Sequence, residues 1–213
     1  MHARTIAVAT MALAVALSGC AVTRSEVKLG TEPAVVGAAD ATRKPIAIGE
    51  VIDARTFEAA PRDPSIPSLG SEGGSAETRA RAVARKRNTY GMALGDVLLE
   101  PGQTVAGVVR RQLAAALAEA GYRIVEAGTA GAPVIDVRIL RFWSWFSPGF
   151  FTVSVSTIVS TELISKARST PVSITVSNSE SALAVTDGTW IEAIDKAMTR
   201  WRAELVARKA DLP

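Results

Sequence analysis

The chain has 213 residues, of which 48% are hydrophobic and 5% aromatic, and its formal net charge is +3 at pH 7. This length suits one domain with a sizeable core, and so small a charge excess gives no support to nucleic-acid binding. The only cysteine, Cys20, has no disulfide partner within the chain, and the only histidine, His2, lies at the N-terminus.

The first residues of the chain have the layout of an export signal. A short basic start with Arg4 precedes an apolar stretch at residues 6–17, which is too short to span a bilayer as a helix. The stretch ends in Leu17-Ser18-Gly19-Cys20, which resembles the lipobox of bacterial lipoproteins. This resemblance implies that residues 1–19 are removed and that Cys20 carries a lipid anchor. With Ala21 next, it also implies sorting to the outer membrane, with the domain in the periplasm. The alternative is a structural cysteine behind an ordinary signal.

Residues 20–45 are interpreted as the lipidated cysteine and a flexible tether, and residues 46–209 as a single periplasmic domain. Gly30, Pro33, Gly37 and Pro45 interrupt any regular period in the tether. A random coil of this length spans roughly 25–30 Å, which would hold the domain clear of the lipid headgroups. Because no second long apolar segment follows, we expect the protein to be anchored to a membrane without crossing it.

The predicted elements begin with a strand at residues 46–53, followed by a long connection at residues 56–88 that contains several prolines and glycines. A connection of this length inside a compact domain is usually functional or disordered. A short strand is expected at residues 97–99. Apolar residues at helical spacing then predict an amphipathic helix over residues 105–120, which Gly121 ends. Another strand is expected from Tyr122.

Alternating apolar and hydroxyl residues predict a long hairpin that starts at Pro133, and a further strand after it. A final helix is expected from Asp187, with Thr189 and Glu192 in a capping-box pattern. This order of elements predicts an α+β domain of two layers. Its antiparallel sheet would contain the long hairpin, and the two amphipathic helices would pack on one face.

This organisation is similar to that of the YajG-like family of uncharacterised bacterial lipoproteins. The resemblance rests on the lipobox, the stretch IGEVIDAR ending at Arg55, the segment Arg87-Asn88-Thr89-Tyr90-Gly91 and the terminal helix. It spans most of the domain and implies an outer-membrane lipoprotein, with no established catalytic residues to carry over. The insert after Arg55 and the aromatic hairpin have no match in the family pattern.

The stretch FWSWFSPGFF at residues 142–151 holds six of the eleven aromatic residues in the chain. If Trp145 lies opposite Phe151, both share the helix-covered face with Trp143, and residues 147–149 form the loop. The other aromatic side chains then fall on the water-facing side near Ser147, at the hairpin tip: Phe142, Phe146 and Phe150. This pattern indicates either a contact site for a partner protein, a second copy or lipid, or additional core.

A basic run precedes the first predicted helix: Arg79, Arg81, Arg85, Lys86 and Arg87. In a strand the four arginines would share one face, which suits the phosphate groups of lipid or lipopolysaccharide. Because no aromatic residue interleaves with the run, stacking of nucleic-acid bases is not indicated. The alternative is a solvated charged face.

The mature chain has no histidine and no uncommitted cysteine. This excludes Ser-His-Asp and Cys-His nucleophilic sites, and no metal or cofactor is expected. Asp53, Asp96 and Asp136 leave carboxylate-based hydrolysis of cell-wall glycans as the remaining enzymatic alternative. The sequence therefore predicts a non-enzymatic binding or assembly module of the envelope, with an envelope protein or a second copy as its partner. A further alternative is an accessory to envelope lipid or glycan transport that binds an amphiphile.

Overall fold

A mixed sheet, covered on one face by two long helices, forms the body of the protein. The computed structural model describes residues 24–30, 42–70, 74–88, 90–149 and 152–213. The signal peptide, Cys20 and Phe150 therefore lie outside the described residues. The described elements are β1 Ser25–Val27, β2 Lys44–Asp53, α1 Ala76–Arg81, β3 Ala82–Arg87, β4 Ala93–Leu99, α2 Val105–Glu119, β5 Tyr122–Val125, β6 Val134–Pro148, β7 Val153–Ser165, β8 Val172–Ala182 and α3 Asp187–Ala207.

Strand β6 is the centre of the sheet, because three other strands pair with it. On one side β7 runs antiparallel to it and continues to β8. On the other side β6 has two partner strands. Strand β2 pairs with residues 134–139, and β3 pairs with β6 at Ser144. The sheet therefore forks into two branches. One branch contains β2 and then β5, and the other contains β3, then β4 and then β1. The predicted α+β class is confirmed, but four of the pairings are parallel, so the sheet is mixed rather than antiparallel throughout.

Helices α2 and α3 bury their apolar faces in the same core, as predicted. Helix α2 begins after Thr104, whose side chain accepts a hydrogen bond from the Gly107 N–H at 3.0 Å. It ends before Gly121, whose φ of +97° suits glycine. Helix α3 begins after Thr186, which forms a capping box with Thr189, so the predicted Thr189–Glu192 box is displaced by one turn. In the described part of the chain, none of the helices is both long and apolar enough to cross a membrane.

The first described segment belongs to the sheet, although the sequence predicts a flexible tether there. Strand β1 pairs in parallel with β4, placing Val27 opposite Leu99. Val27 and Leu29 are buried. The Gln103 side chain also exchanges two hydrogen bonds with the Leu29 backbone, at 3.2 and 2.9 Å. The tether prediction is therefore wrong for residues 24–30, because both their apolar side chains and their backbone are held by the domain.

A β-bulge at Leu140 overturns the predicted faces of the aromatic stretch. Ile139 and Arg141 pair with consecutive residues of β7, so Leu140 is an extra residue in β6. One extra residue inverts the alternation of faces beyond it. Phe142 consequently enters the helix-covered core and is fully buried, and Phe146 packs against the same core. The prediction that these two rings face water is therefore wrong.

The opposite face of the sheet is partly covered by residues 57–70 of the long connection. Trp143 is buried there, and its indole N–H donates to the Pro64 carbonyl at 3.1 Å. The Phe57 ring meets the Trp143 ring edge-on, with 6.0 Å between their centroids. Trp145 packs against this second cluster, so both tryptophans lie on the face opposite to the predicted one. The register also differs from the prediction, because Pro148 pairs with Val153 at the end of the hairpin.

Candidate functional site

Arg55 joins the two branches of the forked sheet. Its side chain is fully buried and forms a two-pronged ion pair with Asp53, with both N–O distances at 2.7 Å. The same guanidinium donates to three backbone carbonyls from both sides of the fork: Ala82 at 2.6 Å, Phe142 at 2.9 Å and Arg79 at 2.8 Å. The Arg55 side chain is therefore a structural group that fixes where β3 begins beside β6.

The predicted basic run is divided between a helix and a strand. Arg79 and Arg81 lie on α1, whereas Arg85, Lys86 and Arg87 lie on β3, so the predicted single face of four arginines is wrong. Arg81 forms an ion pair with Glu26 on β1. Lys86 donates to the Ser25 hydroxyl at 2.6 Å. These two side chains attach the edge strand β1 to the sheet.

Arg85 and Arg87 line an open groove of about 560 Å³, together with Arg62. Its walls come from residues 59–62 of the long connection, from β3, and from the turn at residues 90–93. Tyr90 is 89% exposed and Met92 62% exposed at the rim. Among the described residues that line the groove, none is acidic. The groove therefore combines three guanidinium groups with an exposed aromatic ring and an exposed thioether.

Two of the three arginines also hold the walls of the groove in place. Arg87 donates to the Pro61 and Gly91 carbonyls at 3.0 and 3.2 Å, and to the Ser68 hydroxyl at 3.0 Å. Arg85 donates to the Leu69 carbonyl. These contacts join both walls to β3, so the positions of the two guanidinium groups are set before any ligand arrives. Arg62, in contrast, is exposed on the loop.

Positive charge is concentrated in the groove. Burial and the neighbouring Arg85 both lower the pKa of the Arg87 guanidinium, and Asp63 opposes this effect. Hydrogen bonds from Ser65 hold the pKa of the Asp63 carboxyl below its usual range, with smaller contributions from Arg141 and Arg87. Asp63 is thus a charged counterpart close to Arg87. Together with Asp96, which lies 3.7 Å from Arg85, Asp63 sets two carboxylates against the three arginines of the groove.

The turn between β3 and β4 exposes Tyr90 and Met92 by means of local hydrogen bonds. The Asn88 side-chain oxygen accepts from the backbone N–H groups of Tyr90 and Met92, at 3.0 and 2.9 Å. Gly91 follows with a φ of +82°, a conformation that favours glycine. The segment Arg87-Asn88-Thr89-Tyr90-Gly91 thus contains the residues that shape this turn. In the sequence alone, this segment indicates only a family resemblance.

The predicted contact site at the hairpin tip is only partly present. Phe142 is buried and cannot meet a partner, and Phe146 belongs to the core. Ser147 is half-buried and pairs with Ser154. Because Phe150 lies outside the described residues, a contact role for that ring remains a prediction.

One edge of the sheet is protected at β8, which among the described strands pairs with β7 alone. Arg200 and Arg208 extend from α3 and donate to the β8 carbonyls of Ser177 and Ser173, at 2.9 and 3.0 Å. Arginines placed over an edge strand oppose the addition of another strand. This arrangement disfavours self-association by sheet extension along that part of β8.

The three aspartates considered for carboxylate chemistry serve separate parts of the sheet. Asp53 pairs with Arg55, and Asp136 accepts from the Glu50 N–H at 2.7 Å, beside Gly49. Asp96 lies 3.7 Å from Arg85. Within the described ranges, no group of three or more His, Cys, Asp or Glu side chains is placed to hold a metal ion. A second depression, next to Ile135, has a volume of about 10 Å³, too small for an acyl chain.

Comparison of the sequence with protein-family profiles and with characterised proteins finds no match. Two solved structures resemble the fold at low identity. One, an uncharacterized protein, is 7% identical, with 90% of this chain and 98% of that chain covered and a TM-score of 0.43. The other, protein XCC0632 from Xanthomonas campestris, of the family designated DUF330, is 13% identical, with 86% and 90% covered and a TM-score of 0.40. At these scores neither structure carries an argument about function.

Proposed function

We propose that this chain is a lipid-anchored binding module of the bacterial outer membrane, without enzymatic activity, and that its groove takes an anionic group of a partner. The observation that supports the proposal is the set of three arginines, Arg62, Arg85 and Arg87, around one open groove whose described lining residues include no acidic one. The lipobox at Cys20 supports the anchor and the envelope location.

The chemistry of the groove favours binding. A guanidinium group presents a rigid fork of N–H donors that matches the oxygens of a carboxylate or phosphate. Backbone carbonyls position the guanidinium groups of Arg85 and Arg87, so these side chains lose little conformational freedom when a ligand binds. Tyr90 and Met92 supply apolar contact area at the rim, where a partner would be partly desolvated.

The test is photo-crosslinking in intact cells, from a probe placed at Tyr90 in the full-length protein. A matched probe at Ala167, which is exposed in the turn between β7 and β8 at the opposite end of the sheet, serves as the control. We expect a discrete adduct from position 90, to a protein or to lipid, and none from position 167. The adduct should weaken when Arg62→Glu reverses the exposed charge of the groove. Equal adducts from both positions, or none from position 90 with the probe incorporated, would contradict the proposal.

A further inference from the structure

The first step of the inference is the short distance between the lipid anchor and the folded domain. Strand β1 begins at Ser25, five residues after Cys20. Five residues reach at most about 17–18 Å when fully extended. A tether of residues 20–45 would have allowed the domain to stand off from the membrane. Because β1 is part of the sheet, a lipid on Cys20 keeps Ser25 within that reach of the headgroups.

The second step is the direction from which the chain enters the sheet. Strand β4 starts at Ala93, beside the turn that carries Tyr90 and Met92, and β1 runs parallel to it. The N-terminal end of β1 therefore faces the same end of the sheet as that turn. Ser25 lies opposite Val97, four residues beyond Ala93, which is about 13 Å along the strand. The maximal reach thus extends only about 5 Å past the level of Ala93.

We infer that the end of the sheet formed by the arginine groove and the turn at residues 90–93 docks onto the anionic phospholipid headgroups of the membrane that holds the anchor. The inference rests on the proposed function, since it takes Cys20 as the point of lipid attachment. It also specifies the anionic ligand of the groove as the lipid phosphate.

The composition of this end matches a lipid surface. Arg62, Arg85 and Arg87 supply positive charge for headgroup phosphates. Arg24, exposed immediately before β1, adds another cation on the path to the anchor. Tyrosine is enriched at membrane interfaces because its ring is apolar and its hydroxyl polar, and Tyr90 is 89% exposed. Met92 adds an exposed apolar side chain next to it.

The charge at this end of the sheet remains positive when the two nearby aspartates are counted. Asp63 lies close to Arg87 and Arg141, and Asp96 lies 3.7 Å from Arg85. Neither aspartate is among the residues that line the groove. A protein partner would require a matching acidic surface to be brought to this end. A lipid on Cys20 would hold this end beside the headgroups of its bilayer in every molecule, which favours the membrane as the occupant.

The experiment uses the full-length protein as isolated from cells, reconstituted into vesicles of neutral phosphatidylcholine, with or without phosphatidylglycerol. A fluorophore is attached at Met92→Cys in one sample and at Ala167→Cys in another, and a headgroup-labelled lipid serves as the quencher. We expect quenching at position 92 and little at position 167. Quenching at position 92 should be stronger when phosphatidylglycerol is present, because the arginines then meet anionic headgroups.

Charge variants test whether the groove causes the docking. Arg62→Glu combined with Tyr90→Ser changes two exposed residues, and should reduce the docked fraction at position 92 by about tenfold or more. Lys166→Glu makes the same charge reversal in the turn at the other end of the sheet, and should leave the docked fraction at position 92 unchanged. Arg85 and Arg87 are kept, because their loss would also release the walls of the groove.

Flotation of the same vesicles distinguishes a missing lipid anchor from a failure of the groove to dock. Protein that fails to float with the vesicles lacks the lipid anchor, and this outcome would overturn the proposed function together with the inference. Protein that floats but shows equal quenching at positions 92 and 167, or no effect of phosphatidylglycerol, overturns the docking alone. A crosslink from Tyr90 only to a protein would likewise keep the binding module and exclude the membrane as the groove's ligand.

Discussion

Replacement of Arg55 tests the fork of the sheet most sharply. Arg55→Met puts a long, unbranched apolar side chain in place of the arginine. It removes the guanidinium that binds Asp53 and the backbone carbonyls of three residues, Ala82, Phe142 and Arg79. Breaking a buried ion pair by removing one partner typically costs about 3–5 kcal/mol, because the remaining charge and acceptors stay desolvated. Against a typical total of roughly 5–15 kcal/mol for a domain, this is a large fraction.

The assay is urea unfolding of the Cys20→Ala protein, followed by tryptophan fluorescence. Arg55→Lys keeps the charge but not the planar fork of donors, so a smaller loss of about 2 kcal/mol is expected. Arg138→Met is the matched control, because Arg138 pairs with Glu162 at 3.2 Å while its side chain is 49% exposed, and it should cost at most about 1 kcal/mol. If Arg55→Met costs no more than Arg138→Met, the reasoning about the fork is wrong.

Three further predictions concern Tyr122 on β5, the N-terminal cap of α3 and the β8 edge of the sheet. Burial raises the pKa of the Tyr122 hydroxyl in the folded protein. The stability that this hydroxyl contributes should be complete at pH values below its pKa in the unfolded chain, near 10, and should be lost as the pH rises through its pKa in the folded protein. Tyr122→Phe should flatten this loss in urea titrations between neutral and alkaline pH, at a cost of about 1 kcal/mol at pH 7, and an unchanged slope would contradict the assignment. Thr186→Ala should lower the free energy of unfolding by about 1 kcal/mol through loss of the α3 cap, and no change in the urea midpoint would show that the cap contributes nothing. Arg200→Ala with Arg208→Ala should shift the protein toward dimers in sedimentation velocity by uncovering the β8 edge, and a purely monomeric double variant would refute the protective role.

Much of the fold could be predicted from local sequence patterns. The amphipathic periods of α2 and α3 are long enough to identify both helices, and the alternation in β7 and β8 identifies these two strands. These elements depend on residues close together in the chain, which is why their positions were predicted well. Their burial against one shared core then follows from two-layer packing.

The parts that the sequence did not predict depend on single residues or on distant partners. The bulge at Leu140 is one added residue, yet it exchanges the faces of Phe142 and Trp143. In the sequence it is marked only by the adjacent apolar residues Ile139 and Leu140 and by Arg141, which breaks the alternation. Strand β1 is only three residues long, and it is stabilised by its parallel partner β4. No local pattern reveals such a pairing between residues far apart in the chain.

The candidate site was predicted only in part. Arg85 and Arg87 were singled out as cations, but their role in holding residues 57–70 against the sheet depends on a loop whose path no periodic pattern describes. Arg62 was overlooked because it stands alone in that loop. The Asn88–Gly91 turn has a readable signal, since asparagine at the first position and glycine at the fourth are favoured in a β-turn.

The central claim is that a lipid on Cys20 holds this domain at the outer membrane, and cell fractionation tests it most directly. Wild-type protein and the Cys20→Ala variant are expressed at equal levels, and their membranes are separated by density. The account predicts wild-type protein in the outer-membrane fraction and the Cys20→Ala protein in the soluble fraction. Wild-type protein that remains wholly soluble, or a Cys20→Ala protein that fractionates like the wild type, would contradict it.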